Sequence, residues 1–146
     1  MTPRCIFTEG SVTLPDGYRD RTVNVLIATD ETSPALNISR DSLNPGEDLA
    51  AYVTRQLASL ADGLKGWAEK ERAPAVLGDN VLQGEQVLAT YLRSGQRVWQ
   101  RQAVFVVGGD TVLVFTLAVT RKLTTEDENL LAQVLLSYMP GKEPQA

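Results

Sequence analysis

The chain has 146 residues, with no histidine and a single cysteine, Cys5. Histidine is the commonest general base and the commonest metal ligand, so its absence argues against acid–base catalysis and metal binding. One thiol cannot form an internal disulfide or a cysteine-rich zinc site, and a lone thiol is typical of a reducing compartment. Cys5 begins the apolar segment 5–7, which favours a small packed hydrophobe over a reactive thiol.

Basic residues are too few and too dispersed for a nucleic-acid partner. The formal net charge is -4, whereas phosphate contacts need a concentrated basic surface. No uninterrupted apolar run approaches the ~20 residues of a membrane span, and the start Met-Thr-Pro-Arg lacks a run of signal length. We therefore expect a cytoplasmic chain that is neither exported by the usual route nor inserted into a membrane.

Motifs that carry chemistry are also missing from the sequence. It contains no glycine-rich phosphate loop and no Gly-x-Ser-x-Gly elbow. The acidic pair Asp127-Glu128 falls in the first turn of a predicted helix, where carboxylates complement the helix dipole. We predict that the chain is not an enzyme, with no catalytic residues, no metal and no cofactor.

The composition is that of one globular domain. Hydrophobic residues make up 43% of the chain, and its length is that of an ordinary domain with a proper core. We expect a single domain over residues 1–140. The polar, proline-rich segment 141–146 is predicted to be a disordered tail.

Helix and strand signals alternate along the chain in a consistent order. Segments 5–8, 11–14, 21–28 and 35–40 are predicted strands, and three further strands follow position 67. The first predicted helix has Asn44 at its N-cap, Pro45 at its first position and Glu47 completing a capping box. Its apolar stripe is Val53, Leu57, Leu60 and Leu64, and Gly63 or Gly66 ends it.

A second helix is predicted from Thr125, with Glu128 completing its capping box. The order of strands, helix, antiparallel meander and helix predicts an α+β fold. We expect a twisted antiparallel sheet with two helices.

The predicted sheet carries apolar residues on both of its faces. Segment 111–120 places leucine, phenylalanine and valine on one face and valine, threonine and alanine on the other. Two short helices are not expected to cover both faces. Either loops and the N-terminal strands cover the second face, or part of it is an exposed groove for a dimer or a client.

Four blocks resemble the DcrB-related Eag proteins, the effector-associated chaperones of bacterial type VI secretion. They are 14–25 (LPDGYRDRTVNV), 37–41 (NISRD), 52–57 (YVTRQL) and 98–105 (VWQRQAVF). Element order and total length also agree, so the resemblance spans nearly the whole chain.

The resemblance implies a PsbP-like fold, a homodimer, and a client in the form of the N-terminal transmembrane helices of a PAAR or Rhs effector. It implies a groove between the sheet and the long helix, lined by Val23, Val25, Gln56, Leu60, Leu64, Val98 and Gln102. Core packing remains an equal alternative for Leu60 and Leu64. A PsbP-like accessory protein or a small GTPase adaptor is the rival interpretation.

Overall fold

The computed structural model describes residues 3–141, so the predicted tail lies, apart from Gly141, outside the described residues. The elements in chain order are β1 Arg4–Phe7, β2 Gly10–Thr13, β3 Asn24–Leu26, β4 Ala35–Ser42, α1 Leu49–Gly63, β5 Ala68–Leu77, β6 Leu82–Arg93, β7 Gln96–Gly108, β8 Thr111–Val119 and α2 Thr125–Leu136.

One antiparallel sheet of six strands forms the centre of the molecule. Its spatial order is β3-β4-β8-β7-β6-β5, while β1 and β2 form a separate two-stranded hairpin. A tight turn with positive φ at Ser94 and Gly95 joins β6 to β7, which is the geometry that a two-residue hairpin requires. The predicted α+β class, with a twisted antiparallel sheet and two helices, is confirmed, and the architecture is consistent with a PsbP-like fold.

Helix α1 begins later than its sequence signals indicate. Its N-cap is Asp48, whose side chain accepts a hydrogen bond from the Ala51 amide. Gly46 has a φ of 75°, which no helical residue adopts, so Asn44 and Pro45 belong to a preceding turn. Glu47 does reach back to the Asn44 amide at 3.0 Å, but it closes that turn and not the helix.

Helix α2 is capped one residue earlier than predicted. The capping box pairs Thr124 with Asp127, whereas Thr125 is the first helical residue. Both threonines have an acidic residue three positions later, so the sequence pattern fits either register. Arg121 favours the observed one, because its guanidinium lies 2.5 Å from the Asp127 carboxylate.

The two helices pack on opposite faces of the sheet. Because side chains alternate along a strand, successive residues of β7 and β8 serve different helices. The α2 face has a core of Leu36, Ala75, Leu77, Ala103, Phe105, Phe115, Leu117, Leu131 and Leu135. The α1 face has a core of Tyr52, Val53, Leu57, Val87, Ala89, Val104, Val112 and Val114.

This arrangement corrects the expectation that two helices leave one face uncovered. Each face has its own helix, so most of the apolar surface on both sides of β7 and β8 is ordinary core. A part of the α1 face remains open beside the helix.

Candidate functional site

The open part of the α1 face is crossed by three neighbouring polar side chains, here called the polar row: Asn37, Thr116 and Gln102. Strand register places Asn37 of β4 beside Thr116 of β8, and Thr116 beside Gln102 of β7. Asn37 is exposed, and the other two are half-buried. Two amides and a hydroxyl thus stand side by side on the sheet, where they can donate and accept hydrogen bonds.

Apolar residues continue the polar row at both ends. Val25 of β3 pairs with Asn37, and Val87 of β6 pairs with Gln102. Val87 lies in the core beneath α1, whereas Val25 is 55% exposed. The surface therefore runs from a covered apolar end, across a polar middle, to an exposed apolar end.

Helix α1 is fixed beside this surface by polar contacts with two strands. The Tyr52 hydroxyl donates to the Asp41 carboxylate of β4 at 2.8 Å. The Arg72 guanidinium of β5 donates to the Thr54 hydroxyl and to the Ala50 carbonyl, both at 3.0 Å. Because β4 and β5 lie on either side of β8, β7 and β6, these contacts hold α1 across the middle strands of the sheet.

The structure brings most of the sequence-predicted site residues to the α1 face. Val25 and Gln102 lie on that face of the sheet, at positions that two intervening strands separate. Gln56 and Leu60 are half-buried on α1, and Val23 is 51% exposed just before β3.

The other two predicted site residues, Val98 and Leu64, have structural positions that explain them without a client. Val98 shares a face of β7 with Gln102, but its side chain is only 1% exposed, so a client cannot reach it without movement of its neighbours. Leu64 is the C-cap of α1, and its amide donates to the Leu60 carbonyl. Core packing and helix termination account for these two positions in the isolated chain.

Sequence reasoning missed Asn37 and Thr116. Each is a polar residue within an apolar strand, which is the signal that drew attention to the glutamines. Their relation to Gln102 depends on strand register, because β4 and β7 are far apart in sequence and meet only through β8.

Exposed apolar side chains cluster in the N-terminal part of the chain. Ile27 is 79% exposed, and Val25 and Leu26 of the edge strand β3 are also exposed. The separate hairpin exposes Ile6 and Val12 in addition. Val25 and Leu26 point to opposite faces of β3, so both sides of this edge strand are apolar and exposed.

Titratable groups near α1 have pKa values shifted by their hydrogen-bond partners. The Arg55 guanidinium at 2.8 Å and the Asn44 amide lower the pKa of Glu47 to about 2. Burial and the Asp41 hydrogen bond raise the pKa of Tyr52 above its ordinary value. Residues 3–141 contain no group of three or more acidic, histidine or cysteine side chains that could hold a metal ion.

The fold and this surface define an α+β protein whose sheet lies between two helices and is left partly open on one face. The profile of the DcrB family matches residues 9–137, and the chain belongs to that family. A search among functionally curated proteins finds no match. Neither helix in the described part of the chain combines the length and apolarity needed to cross a bilayer.

Solved structures share the fold, and two of them are PA94 and LpqN. PA94 from Pseudomonas aeruginosa, described as a protein of unknown function, is 22% identical and has a TM-score of 0.72. That match covers 97% of this chain and 99% of PA94. LpqN of Mycobacterium tuberculosis, involved in cell envelope biogenesis, is 17% identical with a TM-score of 0.50, covering 86% of this chain and 78% of LpqN.

Proposed function

We propose that the protein is a cytoplasmic chaperone that binds the N-terminal transmembrane helices of a type VI secretion effector before export. The observation that carries this proposal is the polar row within an apolar surface beside α1. A transmembrane helix presents aliphatic side chains together with small residues at which backbone and side-chain polar groups are accessible. A surface with both kinds of contact suits such a helix better than a purely apolar one.

The energetics support a surface of this composition. A transmembrane helix in water exposes about 20 mostly apolar residues, and each large side chain buried gains roughly 1.5–3 kcal/mol. Val23, Val25 and Leu60 supply aliphatic contacts around the polar row. Each hydrogen bond from the row or from Gln56 adds about 1 kcal/mol and avoids leaving a buried polar group unpaired.

The proposed assembly is a homodimer that uses the exposed N-terminal surface. Strand β3 lies at the edge of the sheet and is short and apolar. The opposite edge strand, β5, carries charges, Pro74 and a bulge between Glu69 and Glu71, all of which discourage pairing. We expect Ile27→Arg to shift the protein from dimer to monomer in light scattering, and a monomeric wild-type chain would contradict this assembly.

Co-expression with an effector fragment that contains its N-terminal transmembrane helices tests the client assignment. Val25→Arg and Leu60→Arg are expected to lose most of the recovered fragment. Val81→Arg and Leu130→Arg are matched controls, because both residues are exposed but lie away from the α1 face. Unchanged recovery by folded Val25→Arg and Leu60→Arg variants would reject the groove assignment.

The polar row can be tested separately from the apolar contacts. Gln102→Leu keeps the side-chain size and removes the amide, so we expect weaker client recovery with little loss of folding. Equal recovery would mean that the client contacts only the apolar rim.

An accessory or adaptor role toward a different protein is the alternative, and it is favoured by the exposed apolar edge strand β3 together with the DcrB membership. A peptide bound there would add as a strand to the sheet. Binding of a folded-domain partner or an extended peptide, with no binding of transmembrane fragments, would favour this role. In either role the protein is proposed to act by binding and not by catalysis.

A further inference from the structure

A cleft lies on the α2 face of the sheet, opposite the polar row, between α2 and β5. Its volume is about 680 Å³. The residues around it come from β5, the following turn, β6, β7 and α2. They include Glu71, Gln86, Arg101, Glu128, Ala132 and Leu136.

One end of this cleft is acidic. Arg101 forms its floor and is only 8% exposed, with its guanidinium 2.7 Å from Glu128 and 3.6 Å from Glu71. The Gln86 side-chain oxygen accepts from the same guanidinium at 2.9 Å. Two carboxylates therefore face one guanidinium, which leaves one negative charge in surplus at this end of the cleft.

The other end of the cleft is apolar and open to solvent. Leu136 of α2 is 62% exposed, and Ala132, one turn earlier on the same helix, is also exposed. The Gly78 amide donates to the Leu135 carbonyl at 2.7 Å, so the turn after β5 holds the end of α2 in place. The apolar surface is thus part of a fixed cleft and not of a frayed helix end.

We propose that this cleft binds a protein segment that carries a lysine or arginine beside aliphatic residues. Arg101 already has its hydrogen-bond partners, so the surplus negative charge of Glu71 and Glu128 favours an incoming cation over an anion. A basic side chain has an aliphatic stem and a charged end, which matches the apolar and acidic ends of the cleft. This site lies on the sheet face opposite the polar row, so it does not depend on the proposed client.

Hexylammonium, titrated into the ¹⁵N-labelled full chain and followed by amide chemical shifts, tests the charge preference. We expect saturable millimolar binding with shifts confined to residues around the cleft. Hexanol and hexanoate have the same stem without the positive charge and are expected to bind more weakly. Absence of saturable shifts at the cleft, or equal binding of hexanoate, would overturn the proposal.

Variants locate the binding within the cleft. Glu71→Gln is expected to weaken hexylammonium about threefold to tenfold, as loss of one partly exposed charged contact does. Glu126→Gln removes a carboxylate that does not line the cleft and is expected to have no effect. Leu136→Ser is expected to weaken binding more than Leu130→Ser does. Equal effects of Glu71→Gln and Glu126→Gln, or of Leu136→Ser and Leu130→Ser, would contradict the assignment.

Selection of random displayed peptides identifies the protein segment itself. Peptides retained by the wild-type chain are expected to carry lysine or arginine next to leucine, isoleucine or valine, and to be lost with Glu71→Gln/Leu136→Ser. No enrichment of basic residues, or retention by the double variant, would reject a peptide ligand. Effector recovery is expected to be unchanged in that variant, which separates this inference from the proposed function.

Discussion

The two faces of the sheet differ in what they place beneath their helices. The α2 face packs Phe105 against Phe115 with ring centres 6.0 Å apart and closes over leucines. The α1 face uses valines and alanines beneath its helix and continues into amide and hydroxyl side chains. Beneath α2 the large aromatic side chains form a closed core, with a cleft only toward β5, whereas the face with small and polar side chains is left open along the polar row.

This difference separates stability from binding within one sheet. Substitutions in the core beneath α2 are expected to cost folding energy. Substitutions along the polar row are expected to cost binding while the fold remains stable.

The largest expected effect comes from neighbouring residues of β7 that point to opposite faces. Phe105→Ala is expected to lower the free energy of unfolding by about 3–5 kcal/mol. Val104→Ala, on the α1 face, is expected to cost only ~2 kcal/mol, from two carbons at roughly 0.8 kcal/mol each. Urea unfolding of both variants checks this, and a larger cost for Val104→Ala would reverse the comparison.

The attachment of α1 is expected to contribute less than the aromatic core. Tyr52→Phe removes the hydroxyl that donates to Asp41 and is expected to cost about 1–2 kcal/mol. Tyr91→Phe is the control, because it removes a tyrosine hydroxyl elsewhere and leaves the Tyr52–Asp41 hydrogen bond intact. The Tyr91 ring is half-buried and stacks on Trp67 with 6.3 Å between ring centres. If Asp41→Asn and Tyr52→Phe were fully additive in a double-mutant cycle, the hydrogen bond would not couple α1 to β4.

The polar row is expected to contribute little to stability. Thr116→Val and Gln102→Leu should each change the free energy of unfolding by less than about 0.5 kcal/mol, because their side chains are half exposed. The measurement is again urea unfolding of the chain alone. A loss comparable to that of Val104→Ala would show that the row is part of the core.

The effect of the α2 cap is expected to depend on pH. The Arg121 guanidinium, followed by the Thr124 contacts, lowers the pKa of Asp127 below its ordinary 3.8. A lowered carboxylate pKa stabilises the fold above the unfolded value and loses that contribution as the pH falls through the folded value. Asp127→Asn should therefore be less stable than wild type at neutral pH, and the difference should shrink in acid below 3.8. A constant difference across this range would exclude ionisation as the cause.

Local signals predicted the elements and part of the surface. Apolar alternation predicted the long strands, and Gly63 was among the predicted ends of α1. The observed starts of both helices differ from the predicted ones. Gly46 favours a turn before α1, and both Thr124 and Thr125 fit the N-cap pattern of α2. Among the predicted site residues, Val25, Gln56, Leu60 and Gln102 lie around the α1 face, while Val98 is buried.

The sequence alone determined the α+β class, because residue periodicity and turn chemistry act over short distances. Only the tertiary structure decided that the helices take opposite faces and that Asn37, Thr116 and Gln102 stand side by side. The physical reason is that strand register and helix placement arise from contacts between distant segments. No local pattern records which of two apolar faces a helix will cover.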